Sequence, residues 1–208
     1  MFIRTESDAQ LVARTRKGDV EAFNYLVSRW EKRLYNYLLR LVGNREDSLD
    51  LCQEAFLKAY QSLRTLQDTE KFPGWLYRIA HNLAYSHLRR PAPMESLEGS
   101  PGQDWTSNWP NDWEDARTSL RASASPRLAG AFGLELEFAV ARALDSLAPE
   151  QREAILLKIY HGFLFDEIAE IISCPVSTVK SRIYAGFARL REQLATEPAQ
   201  QKQVARRR

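Results

Sequence analysis

Residues 75–90 combine cationic, amide and aromatic side chains at helical spacing. Apolar residues such as Leu76 and Leu83 recur at helical intervals, which predicts a helix with one buried face. The opposite face carries Arg78, His81, Asn82, Tyr85 and Arg89. Cations bind phosphates, rings stack on bases and amides pair with base edges, so this face is typical of a site for single-stranded nucleic acid. Trp75 and Tyr77 lie at its margins, and we expect at least one of them to enter the core instead.

An acidic patch beside an apolar residue lies in the helix predicted for residues 46–63. Asp50 and Glu54 are four residues apart, so a helix places both on one face, next to Leu57 and away from the predicted core. Like charges at this spacing slightly destabilise an isolated helix. An outward leucine beside two acids favours a docking surface for a basic partner. A solvated acidic face is the alternative that the periodicity leaves open.

The C-terminal part of the chain has the spacing of a helix-turn-helix. Its apolar residues predict a helix at residues 165–172, a turn, and a second helix that Ser177 or Thr178 caps and that ends near Leu194. Ala169 is small, as the close approach of the two helices requires. This motif indicates DNA binding, although an ordinary helical hairpin is the alternative.

The second helix of this motif has a shallow face edged by cations. Small residues, among them Ala185 and Ala188, lie opposite its apolar stripe. The polar candidates for DNA contact on or beside this face are Ser177, Thr178, Lys180, Ser181, Arg182, Tyr184 and Arg189. Such a face suits a helix seated in the major groove, with its edges reaching phosphates.

Helical periodicity is confined to two blocks, at residues 8–90 and 135–195. Residues 91–134, between them, are rich in Pro, Ser, Gly, Asp and Glu and are predicted to form a linker. Residues 196–208 are predicted to be a frayed basic tail. The sequence therefore predicts an all-α protein with two small helical domains joined by a long flexible linker.

The first block is predicted to contain four helices. Gly18 and Gly43 end the first two, and a short loop at residues 72–74 precedes the fourth. The predicted core face of the third helix holds Leu49, Cys52, Phe56, Ala59 and Leu63.

The composition excludes several classes of protein. The 208 residues are 44% hydrophobic and carry a net charge of only +2, so nucleic-acid binding must depend on local charge. Cys52 and Cys174 form no CxxC motif and are interpreted as small buried residues in a reducing compartment. We find no signal peptide and no membrane-spanning run, and we expect a cytoplasmic location. His81, His87 and His161 lie in no ligand-spaced cluster, so no metal or other cofactor is expected.

Four motifs together resemble the extracytoplasmic-function sigma factors of the sigma-70 family. In the first block these are DSLDLCQEAF at 47–56 and WLYRIAHNLA at 75–84, which resemble region 2. In the second block LAPEQRE at 147–153, followed by EIA and TVKSR within 167–182, resembles region 4. The resemblance covers both helical blocks in order and implies a promoter-recognition subunit of RNA polymerase.

The resemblance implies a role for each surface. Asp50, Gln53, Glu54 and Leu57, here called the core-docking patch, would bind the clamp helices of the polymerase's largest subunit. The loop before the fourth helix, and that helix, would open the minus-ten promoter element through the minus-ten residues Lys71, Phe72, Trp75, Arg78, His81, Asn82, Tyr85 and Arg89. The polar candidates of the helix-turn-helix, here called the minus-thirty-five residues, would bind the upstream element as duplex DNA.

The resemblance also implies partners. Core RNA polymerase and promoter DNA would be the principal ones, and an anti-sigma factor would cover these surfaces. The linker would pass through the polymerase toward the RNA exit path. The chain itself would catalyse no reaction and would need no cofactor, small-molecule substrate or membrane insertion.

This sequence departs from the family pattern in three places. Ala185 stands where family members often carry an arginine, with Phe187 close by, which predicts less direct base recognition and more dependence on DNA shape. Leu164 stands where a Ser or Thr usually caps the helix, so Asp166 is expected to begin that helix instead. The linker is longer than usual.

Two other functions are compatible with parts of the sequence. A stand-alone helix-turn-helix transcription regulator accounts for the C-terminal motif but leaves the core-docking patch without a role. An enzyme has little support, because the sequence holds no Gly-rich phosphate loop, nucleophile motif or metal cluster.

The predicted linker contains three of the five tryptophans, Trp105, Trp109 and Trp113. Pro110 argues against one unbroken helix through all three. Two interpretations remain open: a hydrophobic clasp folded onto one of the domains, or a segment that binds a partner through its aromatic rings.

Overall fold

A computed structural model of the chain describes residues 6–89, 140 and 142–205, with side-chain surroundings described as far as residue 194. Every regular element in these ranges is helical, which confirms the predicted fold class. The predicted linker at 91–134 and its three tryptophans lie outside the described residues. Within the described ranges no helix has the length and apolar character needed to cross a membrane.

The first block folds into four helices. These are α1 (Asp8–Arg16), α2 (Val20–Val42), α3 (Arg45–Ser62) and α4 (Phe72–Leu88). The side chains of Ser7, Asp19 and Asn44 cap the first three by accepting hydrogen bonds from backbone N–H groups of the first turn. Gly43 ends α2 in the left-handed conformation, with φ 77°, that only glycine adopts without strain. The predicted breaks at Gly18 and Gly43 are therefore confirmed.

Helix α2 packs against α1, α3 and α4 and forms the centre of this bundle. The largest fully buried side chains of the first block are Leu11, Leu26, Leu34, Tyr37, Leu38, Phe72, Leu76 and Tyr77. Tyr77 is thus the marginal aromatic that enters the core, whereas Trp75 is half-buried. Because α3 and α4 each bury one face against α2, their other faces are left for additional contacts.

Four of the five residues predicted for the core face of the third helix are buried, and Leu49 is the exception. Leu51 is buried at 6% exposure, whereas Leu49 is 44% exposed. At about 100° per residue, Leu49 lies roughly 90° from the centre of the face that contains Cys52, Ala55 and Ala59. Apolar spacing alone did not distinguish the centre of this face from its edge.

Helix α4 begins earlier than predicted, because residues 72–74 are its first turn and not a loop. Proline is tolerated in a first turn, where its missing N–H has no helical partner. A short 3₁₀ turn, Thr69–Lys71, leads into the helix, and the Asp68 carboxylate accepts a hydrogen bond from the N–H of Glu70.

The second block contains α5 (Pro149–Ile155), α6 (Phe165–Ile171) and α7 (Val176–Ala205). Helix α5 continues into a π-helical turn, Leu156–Tyr160, in which the N–H of His161 donates to the carbonyl of Leu156. The chain divides into two compact units, one of which holds α1 to α6 and α7 as far as residue 185. Residues 142–148 and 186–205 belong to the other unit.

Three predictions about helix ends in this block were wrong. Helix α7 begins at Val176, so Ser177 and Thr178 lie inside its first turn and do not cap it. Helix α6 begins at Phe165 and not at Asp166, because the Glu167 carboxylate accepts the Leu164 N–H at 2.6 Å and supplies the missing cap.

The third error concerns the predicted frayed tail. Helix α7 runs to Ala205 and includes Pro198, instead of ending near residue 194. Proline leaves one backbone hydrogen bond unmade, but the surrounding Ala and Gln residues favour a helix.

Candidate nucleic-acid and polymerase interface

The core-docking patch lies on the solvent face of α3. Asp50, Gln53 and Glu54 are exposed, and Leu57 is 56% exposed. Glu54 forms an ion pair with Lys58 one turn later, with 2.9 Å between Oε1 and Nζ. Such exposed pairs contribute little stability, so a basic partner can displace Lys58 from Glu54 at little cost.

The helix-turn-helix places its small and polar face toward solvent. Ser177, Ser181, Ala185 and Ala188 are all exposed along α7, whereas Val179 and Ile183 are buried on the opposite side. Ser173, in the turn, has φ 52°, a left-handed conformation in which the chain reverses between α6 and α7. The predicted outer face is confirmed, and the apolar stripe is buried at Val179 and Ile183, but Phe187 on the same stripe is 41% exposed and Leu190 is half-buried.

The cations beside this face differ in how they are held. The Lys180 Nζ lies 5.6 Å from the centre of the Phe165 ring, and the Lys158 Nζ lies 4.7 Å from the same ring centre. Both contacts lie within the range of cation–π attraction. Arg182 is half-buried, and its Nη1 lies 3.9 Å from the Cys174 Sγ. Of the other minus-thirty-five residues, Tyr184 is 65% exposed, Arg189 is exposed and Thr178 is half-buried.

The minus-ten residues fall into three groups in the structure. Arg78 and Asn82 are exposed on α4, and Arg89 is exposed at its C-cap, as predicted. Phe72 is completely buried and makes a ring contact with Trp75 at 6.2 Å, so no base stacks on the Phe72 ring in this conformation. Lys71, His81 and Tyr85 form the third group, since each contacts a carboxylate of the second block.

The Glu153 carboxylate of α5 is the centre of the largest of these contacts. Its side chain is only 1% exposed. Its Oε1 accepts a hydrogen bond from the Tyr37 hydroxyl at 2.5 Å and lies 2.7 Å from the Nδ1 of His81. Its Oε2 accepts from the Tyr85 hydroxyl at 2.9 Å. Burial and the neighbouring carboxylate raise the pKa of both tyrosines, so both hydroxyls remain protonated donors.

A second contact joins α4 to the turn after α5. The Tyr77 hydroxyl and the Nδ1 of His161 are 2.8 Å apart, and their rings are tilted with centres 4.8 Å apart. The ring of Phe163 packs edge-on against Tyr77 at 5.0 Å. Burial lowers the pKa of His161 to about 4, and the positive charges of Arg33 and Arg40 act in the same direction. His161 is therefore neutral at pH 7, and its Nδ1 can accept a hydrogen bond from the Tyr77 hydroxyl.

Folding stability is expected to fall below neutral pH because of His161. Its pKa in the folded chain, about 4, lies below the ordinary histidine value near 6.5. Below pH ~6.5 the unfolded chain therefore binds a proton that the folded chain does not, and stability is lost as the pH falls toward 4. Urea unfolding at pH 7 and pH 5 should differ by about 2 kcal/mol through this group alone.

Comparison with two variants isolates this effect. His161→Gln should remove it, whereas His87→Gln should retain it, because His87 contacts Asp47 on the surface and its side chain is 33% exposed. An identical pH dependence in the wild type and His161→Gln would contradict the assignment.

Sequence reasoning missed the importance of Glu153 and gave His161 only a surface or hydrogen-bonding role. The signal for Glu153 was an acid inside an apolar run, since buried residues Ala154 to Leu157 follow it directly.

The interpretation of the two cysteines as buried residues is right for Cys52 and wrong for Cys174. Cys52 is buried, which raises the pKa of its thiol to about 12, whereas Cys174 is half-exposed. The described residues contain no cluster of side chains able to hold a metal ion.

Family models match both helical blocks. The model for sigma-70 region 2 matches residues 26–92, and that for sigma-70 region 4 matches residues 137–190. The RNA polymerase sigma-H factor of Pseudomonas aeruginosa is 34% identical over 187 residues, which cover 88% of this chain and 91% of the relative. The ECF RNA polymerase sigma-E factors of Haemophilus influenzae and Escherichia coli K12 are 37% and 36% identical over 182 residues, 86% of this chain and 90% and 89% of the relatives.

Solved structures support the fold. CnrH, in complex with the cytosolic domain of CnrY, has a TM-score of 0.61 with 23% identity, covering 92% of this chain and 99% of CnrH. The sigma factor RpoE in complex with the anti-sigma factor NepR, from Bartonella quintana, has a TM-score of 0.57 with 23% identity, covering 83% of this chain and 96% of RpoE.

The all-α fold, the exposed helix-turn-helix face and the two matched regions define a transcription-initiation protein. The chain belongs to the sigma-70 family, among its ECF RNA polymerase sigma factors. Members of this family are transcription regulators and not catalysts.

Proposed function

We propose that the chain docks on core RNA polymerase through the core-docking patch of α3 and directs the enzyme to specific promoters. The observation that carries the proposal is the exposure of Asp50, Glu54 and Leu57 on a helix whose other face is buried in the bundle. Acids around an exposed leucine suit a basic, partly apolar partner surface.

Promoter recognition is divided between the two blocks in this proposal. The exposed Arg78, Asn82 and Arg89 of α4 would contact unpaired non-template bases and phosphates, with Trp75 at the margin. The small outer face of α7 would enter the major groove of the upstream element. Phe72 is given a structural role, because its ring belongs to the core of the first block.

The proposal also includes a regulatory partner and the absence of catalysis by the chain. An anti-sigma protein would regulate the chain, as the anti-sigma factor NepR binds RpoE in Bartonella quintana. The chain would catalyse no reaction itself and would act only within the polymerase complex.

Co-purification with core RNA polymerase, followed by run-off transcription on genomic fragments, tests the proposal. We expect a stable complex and transcripts that start at a limited set of promoters. A duplex footprint by the chain alone, without any complex with core enzyme, would favour the stand-alone regulator instead.

Alanine substitution of Lys180 and Arg182 is expected to weaken binding of the holoenzyme to duplex DNA of the upstream element. Each lost phosphate contact should lower affinity on all sequences and reduce the salt slope of binding by about one unit. Filter binding across a salt series measures this slope. Lys17→Ala, an exposed lysine at the end of α1, is the control and should leave the slope unchanged. Equal slopes for the wild type and the double variant would exclude phosphate contacts by these residues.

A further inference from the structure

The loop between α3 and α4, residues 63–71, is bonded to α1 through one side chain. Arg16, the last residue of α1, is half-buried, and its guanidinium donates to backbone carbonyls of this loop. Its Nε and Nη2 lie 3.3 and 3.2 Å from the carbonyl oxygen of Leu63, and Nη2 also donates to the carbonyl of Leu66. Helix α1 packs in addition against both 3₁₀ turns of the loop, Leu63–Thr65 and Thr69–Lys71.

These hydrogen bonds determine which side chains of the loop face solvent. Helix α3 ends directly before the loop, where the last carbonyls of a helix have no partner within it. A guanidinium is planar and carries its donors in a fixed fork, so it can bond two carbonyls that lie at a set separation. Leu63 and Leu66 are buried at 3% and 6% exposure, whereas Arg64, Thr65 and Gln67 are exposed.

The exposed residues of the loop have the chemistry of single-strand binding. A cation attracts phosphates, and hydroxyl and amide groups pair with the edges of unpaired bases. The loop leads directly into Lys71 and α4, so it borders the rest of the proposed minus-ten surface. A loop that is already ordered loses less conformational entropy when it binds a base, which favours binding. The bonds from Arg16 supply this order.

We propose that Arg16 is a positioning residue for promoter recognition, which holds the α3–α4 loop in the conformation that receives an unpaired base of the minus-ten element. This inference rests on the proposed function. It adds a residue of α1, which lies outside residues 26–92 that the family model for region 2 matches. Arg16 acts through the carbonyls of Leu63 and Leu66 and does not itself touch DNA.

The test measures base discrimination by holoenzymes that contain the wild-type chain, Arg16→Ala, Arg16→Lys or Lys17→Ala. The probes are a fluorescein-labelled non-template minus-ten strand, from a promoter found by run-off transcription, and strands in which each base is changed in turn. Fluorescence anisotropy gives the ratio of the affinity for the promoter strand to that for the weakest-binding changed strand. Lys17→Ala removes the same charge at the next residue, which is exposed, and is the matched control.

We expect Arg16→Ala to lower this ratio roughly tenfold, because a hydrogen bond to a charged group shifts an equilibrium by about this factor. Its affinity for the changed strands should stay as in the wild type, because attraction to phosphates does not require a formed loop. Hydrogen exchange of the amides of residues 63–71 in the free chain should become faster. Arg16→Lys keeps the charge without the planar fork and should restore part of the ratio, and Lys17→Ala should behave as the wild type.

Three results would overturn the positioning role and leave the proposed function standing. These are an unchanged ratio in Arg16→Ala, an equal loss of affinity for every strand, and unchanged exchange of the loop amides. If Arg16→Ala does not fold, an unchanged ratio in Arg16→Lys decides against the role. A wild-type holoenzyme that binds all strands alike would overturn the proposed recognition of the minus-ten element and, with it, this inference.

Discussion

Replacement of Asp50 and Glu54 together by alanine is expected to abolish binding to core RNA polymerase while leaving the chain folded. Both carboxylates are exposed on α3 beside Leu57, so their removal opens no cavity in the core. Truncating one side of a charged contact at an interface typically costs about 2–5 kcal/mol, enough to lose a complex of ordinary affinity. Co-purification of tagged variants with core enzyme measures the loss.

A matched control separates a specific contact from the loss of two charges. Glu21 and Glu31 are exposed on α2, and the Glu21→Ala, Glu31→Ala double variant changes the net charge by the same amount. It should co-purify with core enzyme as the wild type does. Unchanged co-purification of the Asp50→Ala, Glu54→Ala variant would show that core polymerase binds a different surface of the chain.

Asn82→Ala is expected to impair promoter melting without affecting assembly with core polymerase. Asn82 is exposed on α4 between Arg78 and Tyr85, where an amide can pair with the edge of an unpaired base. Losing a hydrogen bond to an unpaired base costs about 0.5–1.5 kcal/mol, which corresponds to roughly 2- to 13-fold in open-complex formation. Permanganate reactivity of promoter thymines in the variant holoenzyme reports the melted fraction directly.

The control for this substitution is Asn24→Ala, an exposed asparagine of α2. Its holoenzyme should melt the promoter as the wild type does. Wild-type thymine reactivity in Asn82→Ala holoenzyme would remove Asn82 from the minus-ten residues, whereas reduced recovery of core enzyme would indicate a folding or docking defect.

The surfaces that depend on helical period were predictable from the sequence. The outward position of Asp50, Glu54 and Leu57, and the exposed small residues of α7, follow from the 100° step between successive helical residues. Each of these predictions concerns one helix and its own apolar stripe, so it needs no knowledge of what packs against the helix.

The contacts between distant helices were not predictable in this way. His81 and Glu153 are 72 residues apart, and the period of α4 places His81 outward whether or not another helix covers it. Phe72 was misjudged for a related reason. Its neighbours Pro73 and Gly74 are typical of loops, although proline is equally at home in the first turn of a helix, where this phenylalanine is buried.

The π-helical turn at Leu156–Tyr160 has a consequence for how this region tolerates changes in length. Its backbone hydrogen bonds span five residues, one more than in an α-helix, as the bond from His161 N–H to Leu156 carbonyl shows. This wider turn closes the helix, since residues 161–164 after it are not helical. A π-turn takes up one extra residue, so deleting one residue there would restore the α-helical repeat and leave the chain that follows in nearly the same orientation. The turn that carries His161 to Tyr77 is therefore expected to tolerate the loss of one residue better than the gain of one.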